Sequence, residues 1–263
     1  MKVSLSYIQN NPLFGEKQRN FDQVWDLAQT IKTDVLVLPE LFATGYAFTS
    51  RNEALEAGET TDGSTVEFLK TLSHLTGAIV VAGWVERDGD AVYNGAIMVD
   101  DHGVVAVYRK IHLFNRETLW FDAGNLPFSV HEVQGIKLGM MVCFDWYFPE
   151  SMRTLALLGA DVVAHPSNLV LPHCQTAMRT RCLENRVYAI TANRMGSDHN
   201  QGEHFAFTGQ SQITDVYGVP MAQSPMDETD VQTVVADLGL ARNKMLNPHN
   251  DLLGSRQTQF YGL

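Results

Sequence analysis

Cysteine is scarce in this chain, since only Cys143, Cys174 and Cys182 occur among 263 residues. A small, odd number of cysteines fits free thiols in a reducing compartment better than a disulfide framework. The sequence also lacks any stretch near the roughly 18 consecutive apolar residues that a membrane helix needs. Its first residues alternate like a strand and do not resemble a signal peptide. We therefore predict a cytoplasmic protein with no membrane attachment.

Positive charge is scarce as well. Nineteen lysines and arginines face 30 acidic residues, for a net charge of −11, which argues against a nucleic-acid-binding surface. The phosphate-binding glycine motifs are absent, and the nine histidines show none of the usual metal-binding spacings. The sequence therefore predicts no metal and no organic cofactor. Because no linker or composition break is evident, we expect one domain over residues 1–263.

Apolar strands alternate with amphipathic helices along the chain. Helices are predicted at about 16–31, 64–75, 149–158 and 173–186. Strands are predicted at about 2–9, 34–40, 78–86, 91–99, 104–110, 127–132, 136–143, 161–165, 187–192, 209–215 and 230–237. The polar segment 196–205, rich in glycine and histidine, is predicted to be a mobile loop. This pattern indicates an α/β protein with two packed sheets and helices outside them.

Three polar residues stand where apolar strands end. Glu40 closes DVLVLPE, Lys110 closes VVAVYRK, and Cys143 precedes an aromatic turn and a predicted helix. A carboxylate, an ammonium and a thiol are the groups that a cysteine acyl-transfer enzyme needs. A strand–turn–helix setting can expose the sulfur near a helix N-terminus that favours the thiolate. Singly, each residue has an ordinary structural explanation, so it is their joint placement that indicates catalysis.

Histidine is the usual base beside a catalytic cysteine. His112 and His165 also lie at suitable strand ends, so the pattern leaves a Cys–His pair open. Cys174 and Cys182 lie on the predicted helix 173–186 without a comparable polar setting, and we interpret both as structural.

These segments resemble the nitrilase, or carbon–nitrogen hydrolase, superfamily. The resemblance is strongest in Leu38–Tyr46 (LPELFATGY), Tyr108–Phe114 (YRKIHLF) and Val142–Ser151 (VCFDWYFPES). Supporting matches are His165–Asn168 (HPSN), Arg181–Tyr188 (RCLENRVY), Ala192–Arg194 (ANR) and Leu240–Lys244 (LARNK). The matches run in the family's order from residue 2 to the C-terminus.

The resemblance implies a four-layer α-β-β-α sandwich with its functional residues at these positions. It implies Glu40 as general base, Lys110 as stabiliser of the transition state and Cys143 as nucleophile. Glu117 matches a second glutamate that holds substrate and orders the site. It implies no cofactor, and a homodimer or higher homo-oligomer formed through the outer helices and the C-terminal tail, about 238–263.

The implied reaction is hydrolysis of a small amide to an acid and ammonia through a cysteine thioester. Tyr147 stands where many amidases of keto-acid ω-amides carry an arginine, which argues against such substrates. The run after Cys143 is instead similar to archaeal nitrilase-like members. Nitrile hydrolysis and N-carbamoyl-amine hydrolysis are the alternatives within the family. A catalytically silent binding module is the alternative outside catalysis. Such a module has no chemical need to keep Glu40, Lys110, Glu117 and Cys143 together.

We predict a substrate-binding set of Tyr46, Phe144, Trp146 and Asn168. Aromatic side chains here, together with Trp120 and Tyr147, favour a small and partly apolar substrate. Each aromatic residue fits a core or subunit contact equally well.

Overall fold

The computed structural model describes residues 1–261. Gly262 and Leu263, the end of the predicted tail, lie outside the described residues. The strands are β1 Lys2–Gln9, β2 Val35–Val37, β3 Ile79–Asp88, β4 Ala91–Asp100, β5 Gly103–Arg109, β6 Val130–Val133, β7 Ile136–Met140, β8 Val162–Ser167, β9 Tyr188–Asn193, β10 Ser197–Asn200, β11 Glu203–Ala206, β12 Gln212–Thr214, β13 Pro220–Gln223, β14 Asp230–Asp237, β15 Met245–Asn247 and β16 Asn250–Asp251. The helices are α1 Lys17–Ala28, α2 Arg51–Ala57, α3 Ser64–Thr76, α4 Glu117–Trp120, α5 Pro149–Leu157, α6 Cys174–Asn185 and α7 Leu238–Arg242. A 3-10 turn spans Cys143–Tyr147, and another spans Thr258–Phe260.

Two six-stranded sheets follow the same plan. The first has the order β14-β1-β2-β3-β4-β5, and the second has the order β13-β12-β9-β8-β7-β6. In each sheet three consecutive central strands are parallel, β1-β2-β3 in the first and β7-β8-β9 in the second. Antiparallel strands flank both parallel centres. Each sheet therefore gathers the carboxyl ends of its central strands at one edge.

Alternation along the short strand β2 shows how the layers form. Val35 and Val37 face the core that the two sheets share, whereas Leu36 packs with the helices outside the first sheet. Side chains in a strand point alternately to opposite faces, so an apolar run without breaks is buried on both sides.

Helices cover the outer face of each sheet. Phe21 and Val24 of α1 and Leu69 of α3 are buried against the first sheet. Leu155 of α5 and Met178 of α6 are buried against the second sheet. The order is helix, sheet, sheet, helix, which confirms the predicted four-layer α-β-β-α sandwich.

Some predicted elements were wrong in detail. The strand predicted over 136–143 ends at Met140, and Cys143 opens the 3-10 turn. Helix α2 was not predicted at all. The segment predicted as a mobile loop, 196–205, forms the antiparallel hairpin β10–β11. Contacts with distant segments of the chain hold that hairpin in place, and such contacts cannot be inferred from its polar composition.

The predicted tail begins as helix α7 and continues as the small hairpin β15–β16. Leu246 and Phe260 are exposed there. Its role in oligomer contacts, the oligomeric state and the cytoplasmic location stay predictions. Across residues 1–261, no helix is both long enough and apolar enough to cross a membrane.

Candidate active site

The three strand-end residues meet at the same edge of the two sheets. Glu40 follows β2, Lys110 follows β5 and Cys143 follows β7. Strand β5 runs in the same direction as β2, because two antiparallel pairings separate it from β3, which is parallel to β2. Carboxyl ends of like-directed strands share an edge. Residues more than 100 positions apart in the chain are therefore brought together.

Lys110 lies at the centre of the site and is completely buried. Its Nζ donates to Glu40 Oε1 at 2.8 Å and to both carboxylate oxygens of Glu117, at 3.0 Å and 2.8 Å. One ammonium thus bridges two buried carboxylates. A buried cation needs such partners to offset its lost hydration.

Glu40 is held on one oxygen and left free on the other. Its Oε1 also accepts from the Asn94 side chain at 2.7 Å. Its Oε2 is buried and has no hydrogen-bond partner within residues 1–261. The backbone around it is crowded, because a Cβ placed on Gly83 would lie 2.3 Å from the Glu40 Cα. The result is a fixed carboxylate with one oxygen available to accept a proton.

The charges in this cluster shift the pKa values of its members. Burial by itself lowers the pKa of Lys110, but the carboxylates of Glu117 and Glu40 outweigh it and raise the pKa well above its ordinary value. Burial and the Glu40 carboxylate raise the pKa of Glu117, while the Lys110 ammonium acts in the opposite direction. Lys110 therefore stays positively charged throughout the neutral range.

Cys143 sits in a strained turn. Its φ of 41° lies in the left-handed region, which non-glycine residues rarely adopt. Asp145, two residues later, fixes the turn: its Oδ2 accepts from the Val142 backbone N–H at 2.8 Å and from the Tyr108 hydroxyl at 2.7 Å. Strain of this kind persists only where the surroundings enforce it and is common at catalytic sites.

Both candidate histidines contact parts of this turn other than the sulfur. His165 Nε2 lies 2.9 Å from the backbone oxygen of Cys143, and His112 Nδ1 lies 2.8 Å from Asp145 Oδ1. The ring of His112 also stacks on Phe148, with centroids 3.7 Å apart. Burial lowers the pKa of His165 to about 4. These contacts tie both imidazoles to the turn that carries Cys143.

The Cys143 thiol is shielded from solvent. Only 6% of the residue is exposed, and burial raises the pKa of its thiol well above the ordinary value. Glu40 and Glu117 raise the pKa further, whereas the Lys110 ammonium and a hydrogen bond from the Asn168 backbone N–H lower it. Desolvation outweighs the turn's dipoles, so the resting residue is a neutral thiol that needs a base.

A small cleft opens onto Cys143. Apolar side chains form most of its lining: Phe114, Phe144, Trp146, Leu169, Val170 and Leu171. Asn168 completes it, and only 2% of that residue is exposed. Neither its Oδ1 nor its Nδ2 finds a partner in the part of the chain that the structure describes. A buried amide without a partner carries a cost in stability.

The other predicted aromatic residues lie elsewhere. Tyr46 donates its hydroxyl to Glu117 Oε1 at 2.7 Å and lines a second cavity together with Trp120. Tyr147 is 54% exposed. Of the predicted substrate-binding set, Phe144, Trp146 and Asn168 thus line the cleft, and Tyr46 contacts the carboxylate behind it.

Sequence reasoning missed Asn94, Tyr108 and Asp145, which orient the central residues. Asn94 is a fully buried amide inside the apolar strand β4. Such a polar residue in an apolar strand is the signal that could have identified it. Groups of three or more metal-ligating side chains are not found within residues 1–261.

The sandwich fold, with an acid, a lysine and a cysteine gathered at one edge, is that of the nitrilase-type hydrolases. The model of the carbon–nitrogen hydrolase family matches residues 4–244. The chain therefore belongs to the carbon–nitrogen hydrolase family, as its sequence motifs indicate.

Several relatives share most of the chain. It is 42% identical to a protein of Pyrococcus abyssi named nitrilase, over 98% of this chain and 99% of that protein. It is 29% identical to an (R)-stereoselective amidase of a Pseudomonas species, over 93% of this chain and 90% of that protein. Both relatives extend the family assignment across the whole sandwich.

Solved structures show the same architecture. A superfamily protein from Xanthomonas campestris, whose structure carries an arsenic adduct in its active site, has a TM-score of 0.82 at 26% identity. It covers 93% of this chain and 94% of its own. A carbon–nitrogen hydrolase from Helicobacter pylori has a TM-score of 0.88 at 22% identity, over 99% of this chain and 97% of its own. The second similarity concerns the fold alone.

Proposed function

We propose that the protein hydrolyses small primary amides to the acid and ammonia, with Cys143 as nucleophile, Glu40 as general base and Lys110 as electrostatic stabiliser. The observation that carries the proposal is the hydrogen bond of 2.8 Å from Lys110 Nζ to Glu40 Oε1, in the cluster that also holds the buried Cys143. Burial raises the pKa of the Cys143 thiol. Glu117 holds the other side of Lys110. A protonated thiol in a closed site cannot attack unaided, and the unpaired Oε2 of Glu40 supports a base at this position.

In the first step Glu40 takes the thiol proton while the sulfur attacks the amide carbon. A carbon–sulfur bond forms, the carbonyl π bond opens and negative charge moves to the oxygen. The Lys110 ammonium and the Phe144 backbone N–H are the proposed donors to that oxyanion. A well-aimed donor of this kind contributes about 3 kcal/mol to transition-state stability.

The intermediate collapses when its carbon–nitrogen bond breaks. Protonated Glu40 gives its proton to the departing nitrogen, so ammonia leaves and a thioester remains on Cys143. Glu40, again a carboxylate, then deprotonates a water that attacks the thioester carbon. The carbon–sulfur bond breaks, the sulfur regains its proton from Glu40, and the acid is released.

The cleft lining supports a small, uncharged acyl group. The side chains that contact it are aromatic or aliphatic apart from Cys143 and the neutral Asn168. A carboxylate or ammonium on the substrate would lose its hydration there without gaining an opposite charge. We therefore expect butanamide to be a better substrate than succinamate, in which a carboxylate replaces the methyl group, by about 100-fold or more in kcat/KM.

Nitrile hydrolysis is the second candidate, favoured by the name of the Pyrococcus abyssi relative at 42% identity. The same sulfur attack on a nitrile carbon gives a thioimidate, which needs two waters to reach the acid and ammonia. Butanamide and butanenitrile carry the same acyl chain, so their rates of ammonia release compare the two reactions directly. A faster rate with the nitrile would make the enzyme a nitrilase.

The decisive variants are Cys143→Ala and Glu40→Gln, assayed for ammonia release from this panel. Both should lose turnover, because one lacks the sulfur and the other the proton acceptor. Cys174→Ala and Glu150→Gln are matched controls, since Cys174 is buried on α6 and Glu150 is exposed on α5. Turnover that survives in Cys143→Ala would overturn the proposed nucleophile, and turnover that survives in Glu40→Gln would overturn the proposed base.

A further inference from the structure

The hairpin β10–β11 carries a buried acid into the neighbourhood of the site. Asp198 is only 4% exposed, although its segment is polar and rich in glycine and histidine. Its Oδ2 accepts from the backbone N–H groups of Tyr46 and Ala47, at 2.7 Å and 3.2 Å. One carboxylate oxygen thus anchors the loop that follows Glu40.

A buried arginine fixes Asp198 in turn. Arg194 NH1 donates to Asp198 Oδ2 at 3.0 Å. Its NH2 donates to the Asn11 side chain at 2.7 Å and to the Pro12 backbone oxygen at 2.6 Å. The guanidinium also lies over the Phe207 ring, 4.1 Å from its centroid. Arg194 is fully buried, so this ion pair is shielded from solvent and rigidly placed.

Two phenylalanines in and after the same hairpin pack against the Tyr46 ring. Phe205 and Phe207 meet that ring edge-on, with centroids 5.2 Å and 5.8 Å away. The Tyr46 hydroxyl then donates to Glu117 Oε1. Burial raises the pKa of Tyr46 well above its ordinary value, so the phenol stays a donor in the neutral range. A continuous series of contacts therefore joins Asp198 to Glu117, and Glu117 to Lys110.

The turn before Tyr46 contains a glycine that lets the Asp198 carboxylate approach the backbone closely. Gly45 has a φ of +76°, and a Cβ there would lie 2.6 Å from the Phe14 Cα and 3.0 Å from Asp198 Oδ2. Only glycine allows the carboxylate to come this close to the loop without strain.

We propose that Asp198 is a positioning residue for Glu117 and acts through Tyr46. The inference rests on the proposed function, because Glu117 matters only if Lys110 and its carboxylates carry the reaction. By fixing the Tyr46 backbone, Asp198 sets where the phenol hydroxyl holds Glu117. Small displacements of Glu117 should lower the rate, because catalytic geometry tolerates only displacements well below 1 Å.

A double-mutant cycle tests whether Asp198 acts through the Tyr46 hydroxyl. Asp198→Asn removes the ion pair and keeps an oxygen that can accept the two backbone hydrogen bonds. We expect it to lower kcat/KM by about ten-fold in the otherwise native enzyme, mainly through kcat. In the Tyr46→Phe background the same substitution should change kcat/KM by less than about two-fold, since the hydroxyl is already absent.

His199→Ala on the same hairpin is the control, because His199 is exposed and its ring stacks on His204. We expect unchanged kcat/KM. If Asp198→Asn does not fold, as thermal unfolding would show, Asp198→Glu replaces it in the cycle. That variant keeps a negative charge for Arg194 and displaces the carboxylate from the Tyr46 backbone, and we expect the same dependence on the Tyr46 hydroxyl.

Equal losses in both backgrounds would overturn the positioning role and leave the proposed reaction standing. Failure of the proposed function looks different, since the unsubstituted enzyme would then release no ammonia from any amide or nitrile.

Discussion

His165 donates a hydrogen bond from Nε2–H to the backbone oxygen of Cys143 across 2.9 Å. A carbonyl oxygen can only accept, so this contact fixes the tautomer and leaves Nδ1 to accept from the Thr191 hydroxyl at 3.1 Å. His165 is fully buried. The Nε2–H bond secures the strained Cys143 backbone, and burial keeps the ring neutral.

The neutral state of His165 makes the fold sensitive to acid. Burial lowers its pKa to about 4 in the folded protein, whereas the unfolded chain has the ordinary value of about 6.5. As the pH falls below about 6.5, His165 binds a proton in the unfolded state but not in the folded state. The free energy of unfolding therefore decreases toward pH 4. Between about pH 7.5 and pH 5 this contribution is about 2 kcal/mol.

His165→Gln removes this titration. Urea unfolding at the two pH values should show a loss in the native protein that exceeds the loss in His165→Gln by about 2 kcal/mol. His102→Gln is the control, because the His102 side chain is 88% exposed. An identical pH dependence in His165→Gln and the native protein would contradict the assignment.

Removal of the Glu117 charge should separate thiol reactivity from catalysis. The Glu117 carboxylate raises the pKa of the Cys143 thiol. In Glu117→Gln that pKa should fall, so the pH midpoint of Cys143 alkylation by iodoacetamide should move lower. Turnover should nevertheless drop by about 100-fold, because Lys110 loses one of its two charged partners.

Peptide mass spectrometry would follow Cys143 alkylation, and ammonia release would follow turnover. Glu150→Gln removes an exposed charge from α5 and should change neither. A midpoint that stays in place or rises in Glu117→Gln would show that the two groups do not interact as described.

The central residues of the site could be predicted from the sequence because of where their strands end. Glu40, Lys110 and Cys143 each follow an apolar run. The strands before Glu40 and Lys110 have the same direction in the first sheet, and the strand before Cys143 belongs to the second sheet. At these positions the strand ends that the sequence pattern predicts coincide with the sheet edges that form the site. The family motifs then indicated the family and the fold, and both were confirmed.

The ionisation of Cys143 and the hairpin that carries Asp198 could not be predicted, because both depend on tertiary packing. A turn near a helix N-terminus favours a thiolate, whereas burial acts in the opposite direction and raises the pKa of the thiol. The segment 196–205 has the composition of a loop, yet Arg194 and Tyr46 hold Asp198 inside the protein. Contacts between distant segments leave no periodic signal in the sequence.

Gly83 controls how closely strand β3 approaches Glu40. A Cβ at this position would lie 2.3 Å from the Glu40 Cα and 2.7 Å from the Leu41 backbone nitrogen. Backbone must move to admit it, so Gly83→Ala should destabilise the fold by about 1–3 kcal/mol. It should also lower turnover, since the shift displaces Glu40, the proposed base.

Urea unfolding and ammonia release would measure both effects. Gly239→Ala is the matched control, because the atom nearest to its added Cβ is a side-chain oxygen of Asp237 at 3.2 Å, on helix α7. That variant should retain native activity and stability. Equal behaviour of the two alanine variants would mean that Gly83 is not a spacing requirement.

Asn168 should show opposite effects on activity and stability. Its buried amide faces the cleft without a partner among residues 1–261, so its desolvation costs about 1–3 kcal/mol until a substrate arrives. Asn168→Leu keeps the volume and removes the unpaired groups. We expect a free energy of unfolding equal to or higher than native by about 1 kcal/mol, together with about a ten-fold loss of kcat/KM.

Asn193→Leu provides the comparison, because Asn193 is also a buried asparagine, but its amide is fully engaged. Its Oδ1 accepts from the Leu169 backbone N–H at 2.8 Å, and its Nδ2 donates to the Gly209 oxygen at 2.6 Å. Loss of these bonds leaves buried backbone groups without hydrogen-bond partners and should lower the free energy of unfolding by about 2–4 kcal/mol. Urea unfolding of both variants decides the matter: if Asn168→Leu is destabilised as strongly as Asn193→Leu, the Asn168 amide serves the fold and not the substrate.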